Sequence, residues 1–211
     1  MGYNNQKREE KAEISRLKIY QSAEKLFREQ GFEAVSVDAI VKDAKVAKGS
    51  FYHHFDSKDQ LFALIIQDHV IQKDRNYRQF ISTLDSNTTI ETIVLRFTEY
   101  ITEVLMKDIG HDNMSLIYKF SLSKTVDTNS VMNYQRDIYQ VLHDLFSRGI
   151  REGDFSTLFS ADTLAKHYML LIRSITFEWC ARYPDYDYQT EAQEHVKIFL
   201  TGIIPTRPLP S

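Results

Sequence analysis

The stretch Val37–Leu61, VDAIVKDAKVAKGSFYHHFDSKDQL, constrains this chain more than any other, because caps, a glycine-containing turn and two apolar stripes fall there at fixed spacing. Ser36 is placed to N-cap a helix over about Val37–Ala44. Asp38 then sits in the first turn, where the helix N-terminus favours negative charge. Val37, Ile40, Val41 and Ala44 recur at i, i+3, i+4 and i+7, so one face is buried. A second helix of two turns, Lys48–Phe55, follows across a tight turn, with Phe51 and Phe55 as its core stripe. Ser57-Lys58-Asp59-Gln60 is a capping box, S-x-x-Q, that opens a third and longer helix.

The face turned away from Phe51 and Phe55 carries Lys48, Ser50, Tyr52, His53 and His54, with no carboxylate between Lys45 and Phe55. Such a mixture suits phosphates and base edges. Lysine brings charge, serine and tyrosine bring hydrogen bonds, histidine does either, and Gly49 lets the backbone approach a surface closely. Lys58 at a helix N-terminus is a phosphate anchor. The competing reading takes YHHF as a core aromatic cluster with two satisfied histidines.

The run Gly31-Phe32, Val35-Ser36-Val37, Ile40, Ala44, then Val46-Ala47-Lys48-Gly49-Ser50-Phe51-Tyr52-His53-His54-Phe55, Ser57-Lys58 and Leu61 resembles the N-terminal domain of TetR/AcrR-type transcriptional repressors. The resemblance implies a helix-turn-helix whose second helix enters the DNA major groove. It implies phosphate contacts from Ser36, Lys48, Tyr52, His54 and Lys58, base contacts from Ser50 and His53, and close backbone approach at Gly49. Two positions depart from the family's usual Gly-Val-Ser-Lys-Gly turn. Lys45 stands where the glycine is usual and must adopt its turn conformation, and Ala47 cannot cap the recognition helix.

Net charge over the 211 residues is −3, which does not by itself suggest nucleic acid. Locally, Lys42, Lys45, Lys48 and Lys58 outnumber Asp43 and Asp56, so the surface for a polyanion is a patch. One cysteine, Cys180, excludes an intramolecular disulfide and a cysteine-based metal site, and fits a reducing cytoplasm. No apolar run reaches the roughly 18 residues of a spanning helix, and the charged N-terminus has no signal-peptide core. Seven glycines and four prolines, mostly at candidate helix ends or in the tail, point to an all-α protein with short connections.

In order, a first helix is expected over Lys7–Gln30 with the stripe Leu17, Tyr20, Ala23, Leu26 and Phe27, ending at Gly31. The third head helix is expected to continue to Thr83. It passes from an apolar half to the polar QKDRNYRQF and so connects a head, residues 1–60, to a body, residues 61–211. Thr88-Thr89-Ile90-Glu91 reads as a second capping box for a helix ending near Gly110. Asn113 is expected to cap a helix to Ser123, Ser130 a long helix to Gly153, and Ser160 a helix to Tyr183. A last helix is expected over Gln189–Ile204, halting at Pro205.

The helix from Ser160 has two apolar stripes, Leu164, Tyr168, Leu171 and Ile175 against Ala165, Met169, Ile172 and Trp179, and therefore needs two partners. Two readings stand: a single closed core, or a homodimer interface formed by Ala165, Met169, Ile172, Val196, Phe199, Leu200 and Ile203. The resemblance implies the second, because TetR-type proteins usually dimerise through their last two helices as a four-helix bundle. Arg173 and Glu178 lie within apolar sequence, where an unpaired charge is costly. Each admits a ligand cavity, a partner charge or solvent.

No phosphate-binding glycine loop, His-Glu-x-x-His or nucleophile elbow is present, and adjacent His53 and His54 are no i, i+4 metal pair. No enzyme activity, cofactor or metal is expected. The expectation is a cytoplasmic, all-α protein: an N-terminal three-helix helix-turn-helix DNA-binding domain plus a C-terminal helical ligand-binding and dimerisation domain. Its partners are double-stranded operator DNA, a small-molecule effector and a second copy of itself. Effector contacts are expected from Phe97, Tyr100, Tyr118, Tyr134, Tyr168, Arg173 and Trp179. The alternatives are a helical ligand-binding or enzymatic protein whose head only aids packing, and a transcriptional activator.

Overall fold

The first helix, α1 (Gly2–Gln30), ends at Gly31, whose φ of +79° is the left-handed stop that glycine takes without a Cβ penalty. A computed structural model describes residues 2–85, 88–156 and 158–204, with side chains from Gln6 onward. Among these the chain is all-helical: α2 (Val37–Ala44), α3 (Lys48–His54), α4 (Lys58–Ser82), α5 (Ile90–Glu103), α6 (His111–Ser123), α7 (Asn129–Met132), α8 (Asp137–Glu152), α9 (Ala161–Arg182) and α10 (Tyr188–Ile203). A π-helical turn, Val104–Ile109, joins α5 to α6. Pro205, expected to halt the last helix, lies outside the described residues.

The head helices pack around Ile19, Ala23, Phe27, Phe32, Ile40, Phe51, Phe55 and Phe62. In α1 the buried stripe is rotated from expectation. Ile19 is fully buried and Leu17 is 51% exposed, so Leu17 faces solvent while Ala23, Leu26 and Phe27 face the core as expected. The head core continues into the body. Phe120 of α6 meets the Phe32 and Phe62 rings edge-on at 5.9 and 6.1 Å, and Ile117, Ile175 and Trp179 join the same apolar cluster. A second cluster, centred on Phe97, Leu142, Phe146, Tyr168, Val196 and Leu200, holds α5, α8, α9 and α10 together.

Several helix starts fall elsewhere than the sequence suggests. α5 is capped by Thr89, whose hydroxyl accepts from the Thr92 N–H at 3.3 Å, and not by Thr88. α6 starts at His111, two residues before Asn113, whose amide instead donates to the Ile109 carbonyl. The long helix expected from Ser130 to Gly153 is broken into α7 and α8. At the break the Asn133 side chain accepts from the Gln135 N–H, and Arg136 turns inward onto Asp74. Local hydrogen bonding by asparagine competes with the helix ladder, and a buried ion pair fixes the alternative. Ser160 and Asp187 cap α9 and α10. No described helix is long and apolar enough to cross a membrane.

Candidate DNA-binding face and effector cavity

The turn between α2 and α3 takes the shape its departures predict. Lys45 sits in the left-handed region at φ 56°, ψ 46°, with its N–H on the Lys42 carbonyl, although its Cβ makes that region costly. Ala47 occupies the N-cap of α3 and makes no side-chain cap. Ser36 and Ser57 do cap α2 and α4, accepting from Ala39 N–H at 3.1 Å and Gln60 N–H at 3.0 Å. Gln60 reaches back to the Asp56 N–H at 2.7 Å, one residue before its expected partner.

α3 turns Phe51 fully inward and leaves Tyr52 54% exposed, with Lys48, Gly49 and His53 exposed beside it and Ser50 and His54 half-buried. This removes the core-cluster reading of YHHF, since only its Phe55 is buried. Lys48 pairs with Asp38 at 2.8 Å across the motif, a solvated contact that phosphate can displace. Burial holds the His54 imidazole below its usual range, with His53 and Arg16 adding to that shift, so it acts at neutral pH as a neutral donor or acceptor.

Lys58 is placed differently from a free phosphate anchor. Its ammonium donates to the carbonyls of Phe32 and Val35, both at 2.9 Å, and lies 4.0 Å over the Phe32 ring. It ties the loop after α1 to the start of α4, leaving one N–H for another partner.

A cavity of about 60 Å³ lies in the body between α4, α5, the π-helical turn, α6, α7, α8 and α9. Its walls are mostly apolar, from Val70, Ile101, Val104, Leu105, Ile109, Met114, Val131, Met132, Ile138, Met169 and Ile172. Tyr77, Tyr118, Thr176, Lys73, Arg136 and Arg173 bring the polar groups.

Of the seven residues expected to meet an effector, only Tyr118 and Arg173 line this cavity. Phe97 is core, edge-on to Tyr77 at 5.4 Å. Tyr100 stacks on Phe80 at 4.3 Å, and Tyr168 is fully buried with its hydroxyl on Thr98 at 2.8 Å. Trp179 stacks on Tyr188 at 4.9 Å, and Tyr134 is exposed against Tyr139. Aromatics at helical spacing fill the core here because no smaller side chain covers as much apolar area. Lys73, Tyr77 and Arg136 escaped sequence reasoning. Lys73 and Tyr77 lie in the polar run QKDRNYRQF, expected to connect head to body, whereas Arg136 directly precedes α8.

The expected dimer residues need the same correction. Ala165, Met169, Ile172, Val196, Leu200 and Ile203 are each at most 5% exposed within one chain, and Phe199 is half-buried. Each faces its own core, since α9 and α10 pack on α5 and α8 with those stripes. The apolar residues left open lie one step around: Leu170 at 47%, Phe177 at 45% and Ile198 at 68%. Leu170 and Ile198 share a shallow groove with His167, Leu171, Ser174, His195 and Phe199.

Residues 19–65 match the family described as bacterial regulatory proteins, tetR family. The Transposon Tn10 TetC protein of Escherichia coli is 31% identical over 59% of this chain and 72% of its own length. This chain belongs to the tetR family. It is a DNA-binding transcriptional regulator with an N-terminal helix-turn-helix. The HTH-type transcriptional repressor KstR2 of Rhodococcus jostii is 25% identical over 89% of this chain and 90% of that protein. The crystal structure of FadR from Thermus thermophilus, a TetR-family transcriptional repressor in complex with lauroyl-CoA, superposes with a TM-score of 0.70. It does so at 18% identity, over 93% of this chain and 99% of that one, and so establishes the shared fold.

Proposed function

We propose that this tetR-family member is a repressor that binds a pseudo-palindromic operator as a homodimer and releases it when a small molecule enters the body cavity. The observation that carries the reading is the pairing of an open, carboxylate-free α3 face with an apolar cavity whose wall, α6, also packs on the head core through Phe120. Residues 1–60 form the DNA-binding head and residues 61–211 the effector-binding and dimerisation body, in the bacterial cytoplasm where the operator lies.

Ser36, Lys48, Tyr52 and His54 contact phosphates in this reading, Ser50 and His53 meet base edges, and Gly49 allows close approach. The dimer forms through Leu170, Phe177 and Ile198. An exposed apolar stripe on two adjacent helices is a surface that a copy related by two-fold symmetry covers. Two heads then enter successive major grooves about 34–36 Å apart. An effector that wedges α6 shifts the head, and a coupling of ~1–3 kcal/mol is enough to lower operator affinity measurably. The protein is a regulator and not an enzyme.

The test is binding of the purified protein to the DNA flanking its own gene, followed across salt concentration. Saturable binding with a steep salt slope and a palindromic footprint is expected. Weak binding indifferent to sequence, there and in a genome-wide selection, overturns the reading.

A further inference from the structure

Three cations line the body cavity, and they are not equivalent. Arg136 is neutralised by Asp74 at 2.6 Å, and Lys73 by Asp108 at 2.6 Å. Arg173 has no carboxylate partner among the described residues. Its Nη2 donates to the Met132 carbonyl at 2.7 Å, and its guanidinium lies over the rings of Tyr134 and Tyr139 at 5.4 and 5.8 Å. A half-buried guanidinium held only by neutral groups is the site in this cavity where an anion gains most, because guanidinium–oxyanion hydrogen bonds are about twice as strong as neutral ones.

The second observation concerns space. At about 60 Å³ the cavity is smaller than the roughly 150 Å³ that admits a benzene-sized ligand, so an effector enters only if a wall moves. The least regular wall is α7. This four-residue helix contributes Val131 and Met132 to the lining, and its last two carbonyls are held by the two arginines, Met132 by Arg173 and Val131 by Arg136 at 3.0 Å. A group that competes for Arg173 therefore also loosens α7.

We propose that this cavity takes an amphipathic anion, a carboxylate or phosphate on an apolar body, whose head replaces the Met132 carbonyl on Arg173 and frees α7 to swing outward. The proposal rests on the regulator reading above and names its effector class. Lys73 and Arg136 keep their carboxylates and line the apolar chamber, while Arg173 alone selects the charged head.

Calorimetric titration of the full chain, without DNA, tests it with straight-chain carboxylates of six to twelve carbons, dodecyl phosphate and dodecanol. At matched chain length, dodecanoate and dodecyl phosphate are expected to bind at least about tenfold tighter than dodecanol, the effect of one charge-assisted hydrogen bond. Carboxylate and phosphate arms identify the natural head. Arg173→Gln is expected to abolish the preference and Arg173→Lys to keep part of it, which separates loss of the charge from a general loss of folding. Amide exchange over residues 124–136 is expected to quicken with the bound anion.

Equal affinity for dodecanol, a preference that survives Arg173→Gln, slower exchange in α7, or no binding by any anion of the series overturns the proposal. Operator binding without any probe tests the regulator reading separately. An anion that binds through Arg173 yet leaves operator affinity unchanged counts against that reading and not against the site.

Discussion

Asp74 and Arg136 meet in a two-pronged ion pair, Oδ1 to Nη2 at 2.6 Å and Oδ2 to Nε at 2.9 Å, that ties α4 to the residue preceding α8. Both side chains are largely buried, Asp74 at 4% exposure and Arg136 at 13%. Burial pushes the Asp74 carboxyl up, and the guanidinium works against that shift. Breaking one side of such a pair leaves a buried charge without its partner. Asp74→Ala is expected to lower unfolding free energy by about 3–5 kcal/mol, whereas the double variant Asp74→Leu/Arg136→Met comes closer to the parent. Thermal melting of the three proteins checks this, and a single variant as stable as the parent would sink it.

Lys58 clamps the loop after α1 to the start of α4. Replacing it by Met removes two charge-assisted bonds to the Phe32 and Val35 carbonyls, so stability is expected to fall by about 1–3 kcal/mol. If its remaining N–H reaches a phosphate, the slope of log K against log salt also drops by about one. An unchanged melting temperature removes the clamp, and an unchanged slope removes the phosphate contact.

The recognition helix lacks a side-chain cap at Ala47, where the backbone already has the extended conformation of an N-cap at φ −73°, ψ 147°. Ala47→Ser is expected to stabilise the protein by roughly 1 kcal/mol through a bond to a first-turn N–H. Denaturant unfolding reads the difference directly; no gain means the α3 start relaxes in some other way.

α2 is fastened to α1 by Asp43, which accepts from Lys25 at 2.8 Å and from Ser22 through a very short contact. The Lys25 ammonium, then the Ser22 hydroxyl, hold the carboxyl below its usual range. A depressed folded pKa means the contribution is present above the unfolded pKa of about 4 and is lost as pH falls through the folded value. Asp43→Asn is therefore expected to destabilise at neutral pH and to converge on the parent in strong acid. Parallel melting curves from pH 7 to pH 2 decide it, with a pH-independent gap as the contrary outcome.

Leu170→Glu and Ile198→Glu place charge on the open stripe of α9 and α10 without touching the core. Sedimentation is expected to show monomers whose helical content matches the parent and whose operator affinity is lower, since each half-site is then bound alone. Dimers that persist in both variants would move the interface elsewhere.

Much of the head was readable in order along the chain. Ser36, Ser57 and the glycine at residue 31 mark ends through bonds made within a few residues, and apolar spacing of three and four marks the buried faces. The left-handed turn at Lys45 follows from the resemblance, in which glycine is usual there, and the missing cap at Ala47 from residue type. These are local matters, decided over one or two turns.

The body was legible as helices but not as a site. α9 carries two apolar stripes that sequence cannot rank, because each residue advances about 100° around the axis and a small rotation exchanges the inner stripe for the outer one. Packing on α5, α8 and α10 turned Ala165, Met169 and Ile172 inward and left Leu170 and Phe177 exposed. Asp74 and Arg136 lie 62 residues apart, and Arg173 and Met132 lie 41 apart. No local rule joins them. The sequence by itself determined the all-helical character, the caps at Ser36, Ser57 and Ser160 and the helix-turn-helix motif, since those depend on neighbours in the chain. Tertiary structure alone decided which charges are neutralised, where the cavity lies and which apolar face stays open, since those depend on groups brought together from distant parts of the chain.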